Sequence, residues 1–232
     1  MSAAAEIVHR LREVVGDDEF VGLHIPDITD VEKRRVMECL DSTYVSSVGR
    51  FVGEFEGAVA DYTGAAHGIA VSNGTSALQV ALQLAGVRCG DDVLVPALSF
   101  IATANAVMHA GGQPYFLDSD EGTLGLSVEA VAAVLRSART SSEGLLNPVT
   151  GNRIGAIVPM HTLGHPMRIG ELVALADEYG VPVVEDAAES LGSRVGDKHT
   201  GTFGRLGILS FNGNKILTTG GGGMILTDDD EL

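Results

Sequence analysis

Basic residues are scarce in this 232-residue chain: 15 Lys and Arg stand against 31 Asp and Glu, a formal charge of −16 at pH 7. Nucleic acids and anionic membranes are recognised by clustered Lys and Arg, so neither is an expected partner. An anionic small molecule stays open, because it needs only local donors. Cysteine is scarcer still. Cys39 and Cys89 are the only two, too few for a disulfide framework or a four-thiolate zinc site. Two unpaired thiols, expected to be buried, suit a reducing cytoplasm. No apolar run approaches the roughly 20 residues that span a bilayer. The Met-Ser-Ala-Ala-Ala-Glu start lacks the apolar core of a secretory signal. The expectation is a cytoplasmic protein.

Internal repeats and Pro/Ser linkers are also missing. What is present is apolar material: 45% of residues are hydrophobic and mean hydropathy is +0.21, enough for one sizeable core. Disorder is excluded on the same ground. Glycine is abundant, 30 residues, where average usage of about 7% would give roughly half that. Many tight turns and close backbone approaches follow.

The first third reads as helices over 2–15, 31–41 and 51–62, with Val31, Val36, Met37 and Leu40 at helical spacing. Leu23–Pro26 and Ser46–Gly49 read as links between them. From Gly68 the pattern changes to short apolar runs, at 68–72, 92–95, 114–118, 154–159, 182–185, 206–210 and 223–227. Helices at 76–86, 100–110, 127–137 and 168–179 alternate with the earlier runs. Alternation of this kind predicts an α/β fold, a mostly parallel sheet flanked by helices on both faces. The glycine-rich stretch 192–207 reads as a small inserted hairpin. We divide the chain into an N-terminal helical segment, 1–66, and an α/β domain, 67–232.

Ligands of such sheets collect beyond the C-terminal strand ends. After 68–72 come Asn73, Gly74, Thr75 and Ser76. Gly74 permits a sharp turn, Thr75 or Ser76 can cap the next helix, and the helix N-terminus can take a phosphate. An ordinary β–α turn would look the same. Phe100, beyond the strand at 92–95, could stack on a flat ring or be core. Glu185 and Asp186 end the 182–185 run and could pair with a ligand cation, or serve as a cap and a solvated charge. Metal binding is not expected, because companion ligands at the right spacing are missing. His161 and His165 sit with Gly164 and Pro166 in a loop, which argues against a helical zinc pair. Lys215 lies between the run ending at Ser210 and the glycines 220–223. A solvated surface lysine is the ordinary reading, and a desolvated imine-forming lysine is the alternative.

Taken together, a phosphate cradle, an aromatic, an acid and a lysine on successive strand ends are the parts that hold pyridoxal 5′-phosphate (PLP). A nucleotide-binding domain without PLP is the weaker alternative, since neither a Gly-x-Gly-x-x-Gly after the first strand of the series nor a Walker lysine occurs.

Asn73-Gly74-Thr75-Ser76-Ala77-Leu78, Glu185-Asp186-Ala187-Ala188 and Ser210-Phe211-x-x-x-Lys215 resemble the DegT/DnrJ/EryC1/StrS family of PLP-dependent sugar aminotransferases. The likeness extends from Leu23-x-x-Pro26 and Val45-Ser46-Ser47-x-Gly49 to the glycine run. It implies a fold-type I PLP-dependent transferase large domain. Lys215 would be the Schiff-base lysine and Asp186 the partner of the pyridine nitrogen. Thr75, Ser76 and Ser210 would hold the phosphate at the turn that Gly74 makes, and Phe100 would stack on the ring. Glu189 matches a position near the ring's phenolic oxygen where many relatives carry Gln or His. Dehydratase relatives carry His in place of the lysine, so Lys215 implies transamination. The implied reaction moves an amino group from glutamate to a nucleotide-linked 4-keto-6-deoxy (amino)sugar, in surface-polysaccharide or sugar biosynthesis. Thr218–Met224 and Glu185–Ser190 look closest to the branch feeding legionaminic acid or bacillosamine. The family also implies a homodimer with a shared site, and a smaller C-terminal domain beyond the position of Leu232. The alternatives are a non-catalytic PLP-fold binding or regulatory protein, and an inactive fragment.

Overall fold

The computed structural model describes residues 2–16, 20, 22 and 24–232. Three helices lead the chain: α1 (Ala3–Val15), α2 (Asp30–Asp41) and α3 (Arg50–Thr63). Ser2 caps α1 by accepting from Ala5 N–H, and Thr29 with Glu32 forms a reciprocal capping box on α2. α3 stops at Gly64, whose φ of 80° lies in the left-handed region that glycine enters without penalty. α1 and α2 bury none of their residues, whereas α3 buries Val59, Ala60 and Thr63. All three match the helices expected from apolar spacing. Leu23, at the start of the expected link, lies outside the described residues.

The α/β series follows. β1 (His67–Val71) leads into α4 (Gly74–Leu84), β2 (Asp92–Pro96) into α5 (Ile101–His109), and β3 (Gln113–Leu117) into α6 (Val128–Ser137). A hairpin of β4 (Arg139–Ser141) and β5 (Gly144–Leu146) precedes β6 (Ile154–Ile157) and α7 (Ile169–Tyr179). Then come β7 (Val184–Asp186), the hairpin β8 (Arg194–Val195) and β9 (Lys198–His199), β10 (Leu206–Ser210) and β11 (Gly223–Thr227).

Two ladders, β1-β11-β10-β7 and β3-β2-β6, are joined by parallel bridges from Ile157 to Val183 and from Met160 to Asp186. The sheet therefore runs β1-β11-β10-β7-β6-β2-β3. The pairs β7–β10, β2–β3 and β2–β6 are parallel, while β11 is antiparallel to both neighbours. One reversed strand thus enters the expected mostly parallel sheet. It does so because residues 211–222 turn back directly instead of making a helical crossover.

Side-chain alternation sorts the core onto two faces. Val93, Val95, Leu206, Ile208 and Ile225 meet α4 and α5 through Ala77, Leu78, Leu82 and Val107. Leu94, Ile154, Ile157 and Val183 meet α6 and α7 through Val131, Leu135, Leu172 and Ala176. A third cluster seats α3 on the sheet edge, where Val59 and Phe55 pack with Leu209, Phe211, Met224 and Leu226.

Several expectations change. Neither thiol is buried: Cys89, in the turn between α4 and β2, is exposed, and Cys39, near the end of α2, is half-exposed. The cap of α4 is Asn73 rather than Thr75 or Ser76, since the helix starts at Gly74 and Asn73 Oδ1 accepts from Ser76 N–H at 2.8 Å. The β4–β5 hairpin was not expected; three-residue strands carry too little alternation to read. The 192–207 hairpin is present in shorter form as β8–β9.

Gly207 shows why glycine is frequent here. A Cβ at this position would lie 2.0 Å from the Gly201 carbonyl oxygen, so the turn before β10 closes only over a bare backbone. Gly207→Ala is expected to destabilise the fold by about 3 kcal/mol, the upper end for overpacking. A denaturant midpoint that falls with an unchanged slope would report it. An unmoved midpoint would show that the 201–207 turn relaxes freely. Among the described residues, no helix is long and apolar enough to cross a membrane.

Candidate active site

The C-terminal ends of β1, β2, β7 and β10 open on one side of the sheet, around a cavity of about 380 Å³. Gly74, Thr75, Phe100, Asp186, Glu189, Ser210 and Lys215 all line it. Seven of the eight residues expected at the site are therefore brought together. Ser76 is the exception: it does not line the cavity, and its N–H is taken by Asn73.

One end of the cavity is built to take an anion. The Asn73 cap leaves the N–H groups of Gly74 and Thr75 without intrahelical partners, at the positive end of the α4 dipole. Ser210 reaches the same point: a Cβ on Gly74 would stand 3.2 Å from Ser210 Oγ. β11 also starts there. A Cβ on Gly223 would lie 2.5 Å from the Asn73 carbonyl carbon, so glycine lets β11 pass beneath the turn.

The opposite pole is Asp186, buried at 5% exposure. Thr103 Oγ1 donates to its Oδ2 at 2.8 Å and Ala188 N–H to its Oδ1 at 3.3 Å. Burial pushes this carboxyl above its ordinary range, opposed first by the Thr103 bond and then by Ala188 and the Lys215 charge. The strand end that carries it is braced from behind. Glu185, fully buried, accepts from the N–H groups of Gly201, Phe203 and Gly204 and pairs with His161 Nε2 at 3.0 Å. Met167 N–H donates to His161 Nδ1, which leaves the ring proton on Nε2, facing Glu185. Glu185 is therefore a brace and not the solvated charge that was one reading of this pair.

Lys215 sits on the 211–222 turn, anchored by fully buried Phe211, whose ring meets Phe55 edge-on at 4.9 Å. Its side chain is 12% exposed and its Nζ lies 2.9 Å from Glu189 Oε1. Of the chain's three lysines, Lys33, Lys198 and Lys215, this one alone lines the cavity. Phe100, the residue before α5, is 64% exposed, with its ring 5.9 Å from Lys215 Nζ. It is not core. A smaller hollow of about 200 Å³, lined by His24, Leu163 and Ile216, lies against the same Glu189–Lys215 pair.

A profile of the DegT/DnrJ/EryC1/StrS aminotransferase family matches residues 26–232. The chain belongs to that family. It is 42% identical over 212 residues to the GDP-perosamine synthase of Caulobacter vibrioides, covering 91% of this chain and 53% of that protein. It superposes with a TM-score of 0.79 and 31% identity on DesI, solved in the presence of its TDP-sugar product, over 92% of this chain and 50% of that one. An Escherichia coli GDP-4-keto-6-deoxy-D-mannose-3-dehydratase with bound hydrated PLP matches at 25% identity and TM-score 0.78, over 91% and 52%. The chain spans about half the length of the relatives it matches.

Aminotransferases of this family use PLP, and the residues present fit it. Anion donors, a buried carboxylate and a shielded lysine surround one cavity, and bare glycine backbone lies where a Cβ at 74 or 223 would crowd the anion end. Among the described residues, no cluster of His, Cys, Asp and Glu is arranged to hold a metal ion.

Sequence reading missed Thr103 and Met160, and gave the capping role of Asn73 to its neighbours. Thr103 follows Phe100 by three residues, one helical turn, which was the available signal.

Proposed function

We propose that this protein is a PLP-dependent aminotransferase that moves an amino group from glutamate to a nucleotide-linked 4-keto-6-deoxy (amino)sugar. The observation that carries this reading is Lys215, shielded in the same cavity as buried Asp186 and the open N-terminus of α4. A lysine at this place also separates it from family dehydratases, in which histidine stands there.

The cofactor, when bound, supplies an electron sink for the carbanion formed at the amino donor's Cα. The chain's own groups do the rest. Gly74 and Thr75 N–H and the Ser210 hydroxyl would bind the phosphate, Phe100 would shield the ring from water, and Asp186 would hold a proton on the ring nitrogen. The Lys215 amine would move the proton of the donor Cα, as base and then as acid. Glu189 holds the Lys215 side chain in the cofactor-free protein. The hollow beside the pair gives the substrate its approach to Lys215.

Residues 67–232 form the cofactor-binding unit in this reading, with α3 packed on its edge and 1–66 as the leading helical segment. A GDP-linked sugar is favoured by the name of the Caulobacter vibrioides relative, and GDP-linked sugars lead the panel to be tested over the legionaminic acid or bacillosamine branch. Transfer from glutamate, followed as 2-oxoglutarate release by the full-length protein, should occur with a 4-keto-6-deoxy nucleotide sugar. A cofactor-loaded protein inert toward the whole panel would overturn the reading.

We also infer a cytoplasmic homodimer. Val45 and Val48 are exposed before α3, and a symmetric pairing would cover the same patch on both copies. Light scattering of the full-length protein should give twice the monomer mass. A monomer that turns over substrate at micromolar concentration would refute the shared site.

A further inference from the structure

Asp186 is more than a carboxylate at a strand end, because its orientation is imposed from α5. Thr103 is 1% exposed, and its Oγ1 lies 2.8 Å from Asp186 Oδ2 and 2.6 Å from Ser99 Oγ. Ser99 Oγ also touches Met160 Sδ at 3.2 Å. When Asp186 is ionised it only accepts, so the single Thr103 proton then goes to Asp186. The proton between the two hydroxyls must then come from Ser99. The result is a one-way chain, Ser99 to Thr103 to Asp186. Thr103 is β-branched and set in a helix, so few χ1 states are open to it. Its hydroxyl reaches across to the strand instead of bonding back to its own helix.

Oδ2 is fixed by this chain, while Oδ1 has a single long bond from Ala188 and acceptor capacity to spare. Lys215 and His161 are the cationic or titratable groups facing Asp186, and the short partner of Lys215 Nζ is Glu189, not Asp186. The only side-chain hydrogen-bond donor held on Asp186 among the described residues is therefore a neutral hydroxyl from α5.

We propose that Thr103, aligned by Ser99, is a positioning residue that holds Asp186 Oδ2 so that Oδ1 is presented to the protonated ring nitrogen of the cofactor. This rests on the cofactor reading above, but its first test does not. In the cofactor-free full-length protein, the Asp186 carboxyl is followed by carbon-13 NMR against pH. Thr103→Val keeps the shape and removes the donor, so the carboxyl should titrate at higher pH, by about one unit or more. Thr103→Ser should restore the parent titration, and Ser99→Ala should move it part of the way.

In the loaded enzyme, Thr103→Val should lower kcat about 10- to 100-fold while KM for the sugar stays near the parent's. An Asp186 titration unmoved in Thr103→Val, in a protein that still transaminates, overturns the positioning role. Failure of the transaminase reading would show instead as inactivity of the parent, with the titration still responding to Thr103. If Thr103→Val does not fold, Ser99→Ala carries the test: a parent-like titration in that variant equally overturns the chain.

Discussion

Lys215→Ala is expected to lower turnover by roughly three orders of magnitude or more, within the range for loss of a positioned acid–base group. It should also abolish the visible absorbance of the lysine-bound cofactor. Both follow from placement. Lys33 pairs with Asp30 on exposed α2, and Lys198 lies over the Phe203 ring beside the β8–β9 hairpin. Neither lines the cavity, so no second amine can substitute. Borohydride reduction of the parent followed by peptide mapping should place a pyridoxyl label on Lys215. A label on Lys198, or an alanine variant that keeps its colour and rate, would remove Lys215 from the chemistry. The fold should be indifferent to the change, because the 211–222 turn is anchored by Phe211 and by backbone bonds from Phe211 N–H to Gly222 and from Thr219 N–H to Phe211.

Asp186→Asn should leave the cofactor bound and cut turnover by about 10³-fold, comparable to removing one preorganised electrostatic contact in an active site. An amide cannot hold the ring nitrogen protonated, so the sink is lost while the phosphate contacts remain. The same variant carries a stability signature. Burial raises the Asp186 carboxyl, so the folded chain holds that proton more tightly than the unfolded chain does. Ionising it therefore costs stability. That cost is absent below the ordinary carboxyl range near pH 4 and full above the raised folded value. In the cofactor-free protein, the melting temperature of Asp186→Asn relative to the parent should thus improve as pH rises through this window. A variant of near-parental rate, with a pH-independent stability difference, would leave Asp186 as a strand-end cap and nothing more.

Both residues were legible in the sequence because Asp186 ends one short apolar run and Lys215 lies just beyond another, and strand ends are where an α/β sheet gathers ligands. The helices were legible for a similar local reason. Their apolar spacing, their caps at Ser2 and Thr29 and their stop at Gly64 lie within a few residues of one another. Placement of the seven strands of the main sheet required no more than short runs of four to six residues between turns. What those signals do not contain is direction. β11 reads like any other buried strand, and only its pairing with β1 and β10 reverses it.

Sequence alone determined the α/β class and the order of the chemical groups along the strand ends, because these follow from periodicity and from residue types at and beyond run ends. Tertiary structure decided which partners those groups keep. Lys215 meets Glu189, separated by 26 residues, and Asp186 meets Thr103, separated by 83. Glu185, which could have been a solvated charge, becomes a buried brace because the 201–204 turn folds its N–H groups onto it. Phe100, which could have been core, stays exposed over the cavity because α5 packs through Ala106 and Val107 instead. Hydrogen bonds and burial depend on distances between segments far apart in the chain, and no local pattern encodes such a distance.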